Sequence, residues 1–215
     1  MLKLDLDVDM FTIYAIIVLF LIMMLYILVD VNYFLRAGAT ILYGTYFQST
    51  MRVDEEVEMP GFCTTQDMDF LLSHMNNARY IREADFGRFH FFARTRMLTE
   101  IRNTNGHILQ GALSMRYRKP IPIFSSYVLK TKVLFWDDKN IYFEQQFCSS
   151  DGFVKAIMLS QNKIININIP EIMSRLKKDE SYRPEVPAEL KLWIDSIEAS
   201  SMRLRKKSRH FYFTL

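Results

Sequence analysis

His74-Met75-Asn76-Asn77-Ala78-Arg79-Tyr80-Ile81-Arg82-Glu83-Ala84-Asp85-Phe86-Gly87-Arg88-Phe89-His90-Phe91-Phe92-Ala93-Arg94 reads as one long helix. It contains no proline and a single glycine, and its charges interleave with Tyr80, Ile81, Ala84 and Phe91. After it the hydrophobic period changes to two. Residues 109–117, 127–136, 141–148 and 153–168 are rich in aromatic and branched side chains, and the last three segments are separated by Asp137-Asp138-Lys139-Asn140 and Ser149-Ser150-Asp151-Gly152. Such short polar gaps predict hairpins and an antiparallel meander, because parallel neighbours need crossovers of about a dozen residues or more. Ahead of the helix, residues 52–59 set Val53 and Val57 among acidic neighbours, which predicts a half-exposed strand ending at a Pro60-Gly61 turn. A strand, a long helix and a run of antiparallel strands make an α+β domain whose helix covers one sheet face.

Further towards the N-terminus, residues 10–29 carry no charge. At about 1.5 Å per residue such a run spans the roughly 30 Å hydrocarbon core of a bilayer, and it predicts a transmembrane helix. A cleaved signal peptide wants a basic start and small residues after a shorter apolar stretch, whereas Asp5, Asp7 and Asp9 precede this run and Asp30, Val31 and Asn32 follow it. Residues 30–48 are rich in Tyr, Phe and Leu with Arg36 as the only basic charge, as expected of a juxtamembrane helix near the lipid interface. The expected organisation is a tail over 1–9, a membrane helix over 10–29, a juxtamembrane helix over 30–48, a domain over 49–183, and a C-terminal helix with a basic tail over 184–215. In that last part Leu190, Trp193, Ile194, Ile197 and Leu204 recur at helical spacing, and Arg203, Arg205, Lys206, Lys207 and Arg209 precede Phe211, Tyr212 and Phe213. This basic end suits either a membrane-surface patch or a solvated tail.

Half of the 215 residues are hydrophobic and 24% are charged, which suits a folded core and excludes a wholly disordered chain. The net charge of +3 is too small for a nucleic-acid binder, and two cysteines, Cys63 and Cys148, make neither a disulfide framework nor a usual zinc site. His90, His107 and His210 show no metal-ligand spacing, and no metal is expected. No asparagine stands in an Asn-x-Ser/Thr sequon, which favours a cytosolic body.

The densest polar cluster is Asp67-Met68-Asp69 together with Ser73, His74, Asn76, Asn77, Arg79 and Tyr80, where the first strand gives way to the helix. A helix start offers unpaired NH groups and a positive dipole end for an oxyanion, with a carboxylate nearby as base or nucleophile. Equally, Ser73 or Asn76 could simply cap the helix while the aspartates solvate a loop. Asp67-Met68-Asp69 followed by His74-Met75-Asn76-Asn77-Ala78-Arg79-Tyr80 resembles the D-x-D-x-x-G-H-x-N-N-x-x-Y signature of hotdog-fold acyl-CoA thioesterases of the 4-hydroxybenzoyl-CoA thioesterase type. Arg82-Glu83-Ala84-Asp85-Phe86, Trp136-Asp137-Asp138, Asp151-Gly152-Phe153-Val154, Trp193-Ile194 and Glu198-Ala199-Ser200-Ser201 are similar to a membrane-anchored branch of that family.

The resemblance implies a hotdog fold, a five- or six-stranded antiparallel sheet wrapped around the long helix, paired into homodimers that bind acyl-CoA. It makes Asp69 the catalytic carboxylate, with NH groups near His74 and Met75 as oxyanion donors beside Asn76 and Asn77. Asp67, Arg79 and Tyr80 become scaffold. Ser73 stands where the family has glycine, and Asp69 lies five residues ahead of His74 where the family has four. The implied protein is anchored at the endoplasmic reticulum with its body in the cytosol. It binds acyl-CoA or lipid and hydrolyses fatty acyl-CoA without any cofactor beyond the coenzyme A of the substrate. The alternative is a catalytically inactive lipid- or protein-binding module at the same membrane, since fold does not fix activity.

Overall fold

A computed structural model describes residues 9–166, 168–177 and 184–212, the side chains of residues 177 and 206–212 excepted. α1 (Met10–Leu28) starts where the Asp9 carboxylate accepts the Thr12 NH at 2.9 Å, and none of its residues is buried. It is long and apolar enough to cross a membrane. Only Val29 and Asp30 separate it from α2 (Val31–Tyr46), which Asp30 caps in the same way. The chain continues through β1 (Val57–Phe62), α3 (Asn77–Arg94), α4 (Met97–Asn103), β2 (His107–Tyr117), β3 (Ser126–Trp136), β4 (Asn140–Cys148), β5 (Val154–Ile165), α5 (Ile169–Lys177) and α6 (Ala188–Tyr212).

The five strands form one antiparallel sheet in the order β1-β3-β4-β5-β2. β3, β4 and β5 are the expected meander, but β2 lies at the far edge against β5. Its short link to β3 therefore crosses the sheet end instead of making a hairpin. β1 also departs from expectation, running through Pro60 and Gly61, which pair with Val128 and Tyr127. An edge strand tolerates proline because one row of its NH groups has no ladder to join. The short helices α4 and α5 carry too few residues to show a helical period against the neighbouring strand patterns.

α3 is the central element, with the sheet on one side and α2 on the other. Its approach to the sheet depends on Gly87, where an added Cβ would sit 2.6 Å from Leu129 Cδ2 and 2.8 Å from Gln145 Nε2. Two apolar clusters share the helix: Tyr80, Phe86, Tyr127 and Phe147 near its start, and Phe91, Phe92, Trp136 and Phe143 near its end. α2 is more than an interfacial helix. Arg36 reaches the buried Glu83 carboxylate, Tyr33 packs its ring on Phe86 at 5.4 Å, and Gly44 lies against His90 and Ala93. α6 extends to Tyr212, so Arg203 and Arg205 are exposed helical residues rather than part of a tail. Phe213 and the side chains of Lys206, Lys207, Arg209, His210, Phe211 and Tyr212 lie outside the described residues.

Candidate functional site

Asn76 begins α3: its side-chain oxygen accepts the Ala78 NH at 2.9 Å, and its own NH donates to the Asp67 carbonyl at 2.8 Å. This ties the helix start to the loop carrying the two aspartates. Asp67 is almost wholly enclosed, accepting from the Thr64 NH at 2.8 Å, the Thr64 hydroxyl at 2.7 Å and Arg79 Nη2 at 2.6 Å. Burial pushes its carboxyl pKa up, but these Thr64 and Arg79 donors outweigh that and hold it below the ordinary aspartate value. Tyr80 fixes the opposite wall. Its hydroxyl accepts the Ile121 NH at 3.1 Å, and its ring meets Tyr117 and Phe147 edge-on.

Asp69 is half-buried in the same loop and, among the described residues, has no guanidinium partner. One carboxylate oxygen accepts the Ser73 NH at 3.1 Å and the His74 NH at 3.3 Å, while the other lies 3.6 Å from His74 Nδ1. Desolvation opposes ionisation, and the NH groups of Ser73, His74 and Leu71 overcome it, so the carboxyl titrates below the usual range. Ser73 Oγ also contacts His74 Nδ1, at 2.7 Å. Ser73, His74 and Asp69 are therefore no charge-relay triad, since a relay needs the base and the orienting carboxylate on different ring nitrogens.

The helix-start NH groups are used unequally. Met75 donates to the Ile121 carbonyl at 2.8 Å, and His74 donates to Asp69. Neither is open to a ligand in this arrangement. Asn77 is exposed, its carbonyl accepts the Tyr117 hydroxyl at 2.9 Å, and among the described residues its NH has no acceptor. Beside this end a groove of about 530 Å³ runs between α2, β1 and α3, with Arg36, Arg79, Thr64 and Gln66 in its walls.

Several contributors were not singled out from sequence. The partly exposed Arg36 closes over buried Glu83, whose carboxylate also accepts the buried Tyr127 hydroxyl at 2.6 Å. The lone charge of Arg36 in an aromatic helix was its only signal. Cys63 is buried, and desolvation with the charges of Asp67 and Glu83 pushes its thiol up to about 11, which leaves it inert near neutral pH. Cys148 is likewise buried, in β4. His90 is enclosed in α3, and His107 opens β2 away from the loop. Among the described residues no cluster of three or more His, Cys, Asp or Glu could hold a metal.

The sequence profile of the thioesterase-like superfamily matches residues 63–194, more than half of the chain. The chain belongs to this superfamily. Protein THEM6 of Drosophila melanogaster is 49% identical over 189 residues, covering 87% of this chain and 97% of that protein. Protein THEM6 of Danio rerio is 39% identical over 181 residues, covering 83% and 89%. Among solved structures, a Staphylococcus aureus protein, SAV2348, in complex with CoA superposes with a TM-score of 0.51 at 16% identity, covering 66% of this chain and 96% of its own. A 1,4-dihydroxy-2-naphthoyl-CoA thioesterase from Synechocystis gives 0.51 at 6% identity, covering 60% and 99%. At such identities the structures establish the hotdog fold of this superfamily member.

Proposed function

We propose that this chain is a membrane-anchored hotdog protein that binds fatty acyl-CoA at the start of α3 and hydrolyses its thioester. The observation that carries this reading is the ionised, half-buried Asp69, held by loop NH groups beside a helix start whose Asn77 NH is open. A carboxylate held ionised by its loop NH groups is available at neutral pH to attack the thioester carbonyl. Attack would form an acyl-aspartyl anhydride and release the CoA thiolate, and water would then split the anhydride to free acid. In the neighbouring groove Arg36 and Arg79 already pair with Glu83 and Asp67, and the exposed Gln66 side chain offers a donor for the polar part of such a ligand. α1 would hold the body at the endoplasmic reticulum membrane, facing the cytosol as the absence of sequons suggests.

A homodimer fits the outer side of β2, which among the described residues pairs with no strand besides β5. Leu109, Gln110 and Gly111 are exposed there, and a long unpaired edge invites a second copy to extend the ladder. The second reading is an inactive lipid-binding or protein-binding module, favoured by the acceptors already engaging the His74 and Met75 NH groups. Hydrolysis of a panel of acyl-CoAs by the full chain in lipid nanodiscs, beside binding isotherms for the same ligands, separates the two. Turnover that disappears in Asp69→Asn supports the enzyme, and binding without turnover supports the module.

A further inference from the structure

The end of the domain that holds Asp69 carries an apolar rim for which the proposed chemistry has no use. Phe70, Leu71 and Leu72 are 95%, 73% and 63% exposed, and Phe124, on the neighbouring loop, is 65% exposed. Leu72 and Phe124 both adopt left-handed backbone, with φ of 56° and 58°, which bulky side chains rarely do. Four large apolar side chains on adjoining loops are unusual on a water-facing surface. The two loops are tied together, because the Ile123 NH donates to the Ser73 carbonyl at 3.2 Å and His74 bridges to Pro122.

Cations flank this rim. Arg118 and Lys119 are exposed and sit over the Phe153 ring at 4.7 and 6.0 Å, while Lys155 is braced against the Pro120 carbonyl at 3.2 Å. Of the acids of this end, Asp67 is paired with Arg79 and Asp30 with Arg82, while Asp69 and Asp151 keep their charge on neutral NH and hydroxyl donors. Arg118, Lys119 and Lys155 against Asp151 leave the margin positive, beside an apolar apex.

The route of the chain supplies the occupant. α2 runs alongside α3 in the same direction, with Asp30 bonded to Arg82 near the α3 start and Gly44 packed on His90 and Ala93 near its end. The Leu28 end of α1 therefore enters the domain at the same end as the rim, through a two-residue link that spans only about 7 Å. We propose that Phe70, Leu71, Leu72 and Phe124, flanked by Arg118 and Lys119, rest in the anionic surface of the bilayer that α1 crosses. Aromatic and aliphatic side chains enter the headgroup boundary while lysine and arginine meet lipid phosphates, as in other interfacial contacts. Asp69 directly precedes the inserted residues, so the carboxylate of the proposed site lies close to where acyl chains partition. This proposal rests on the membrane-anchored reading above.

The test uses the full chain reconstituted in vesicles containing anionic lipid, with Phe70→Trp as reporter and the parent protein, with Trp136 and Trp193, as background. Lipids brominated on their acyl chains should quench the added indole, whose emission shifts to the blue. Arg118→Gln with Lys119→Gln should reduce that quenching in anionic vesicles and leave it unchanged in zwitterionic ones. An added indole that emits as in water and escapes quenching overturns the proposal. A blue-shifted indole that escapes quenching and varies with protein concentration also overturns it, in favour of a second copy on the rim. Resistance of the same vesicles to carbonate extraction reports the anchor separately, so loss of the anchor is distinguished from an unseated rim.

Discussion

Asp67 and Asp69 stand two residues apart, yet Asp67 is enclosed by Thr64 and Arg79 while Asp69 is held only by its own loop. Replacing Asp69 by Asn keeps an acceptor for the Ser73 and His74 NH groups and removes the charge. The expected outcome is a loss of acyl-CoA hydrolysis of about 100-fold or more, with an unchanged thermal midpoint. Because the Asp69 carboxyl titrates low, the acid limb of kcat/KM should fall below the ordinary aspartate value of about 3.9. A limb near pH 6 would point to a different group. Arg79→Ala instead leaves Asp67 buried without its guanidinium, and denaturant unfolding should show a cost of about 2 to 4 kcal/mol. Types and spacing in the sequence marked both aspartates. Which one would be locked away depended on the reach of Arg79 across the loop, a contact that spacing does not encode.

Helix against sheet and helix against helix decide the next scale. Gly87 lies where α3 crosses β3 and β4, and Gly87→Ala should destabilise by about 1 to 3 kcal/mol although alanine is the better helix former. Compensating Leu129→Val should recover part of that loss. On the other face of α3, His90 is buried beneath α2, its Nε2 is in contact with Gln48 Oε1, and its Nδ1 has no partner among the described residues. Desolvation, helped by Arg94, pushes its pKa down to about 4. A histidine kept neutral by folding takes up a proton on unfolding between its native value and about 6.5. Stability should therefore be full above that window and decline as pH falls from about 6.5 towards 4. His90→Gln should flatten the decline, read as thermal midpoint against pH. The long helix and three strands were legible because their periods persist over many residues. The place of β2 was not, since alternation shows that a strand has two faces but not which edge it joins.

At the scale of the whole molecule, α1 contributes no buried residue, whereas α2 lends Arg36 to Glu83 and covers α3. A chain beginning at Asp30 should keep the thermal midpoint of the full protein. A chain beginning at residue 49 loses both the Arg36 partner of Glu83 and the helix that covers Phe86, and should unfold at a clearly lower midpoint. Differential scanning of the two truncations in detergent reads the difference directly. Equal midpoints would place α2 outside the folding unit, as a membrane-lying helix would be.

The sequence by itself determined the apolar helix at the start, the α+β class, the antiparallel meander and the junction where polar chemistry gathers. Each is a local property, written in the period of apolar residues, in turn chemistry, or in residue types at close spacing. Only the tertiary structure decided that α2 closes over α3, that Pro60 and Gly61 continue an edge strand, and that the Met75 NH is taken by Ile121 while that of Asn77 stays open. It also gathered Phe70, Leu72 and Phe124 at the end where α1 enters. These depend on which distant segments meet. Pairing partners and buried ion pairs are settled by the joint packing of the whole chain, which no single window of sequence contains.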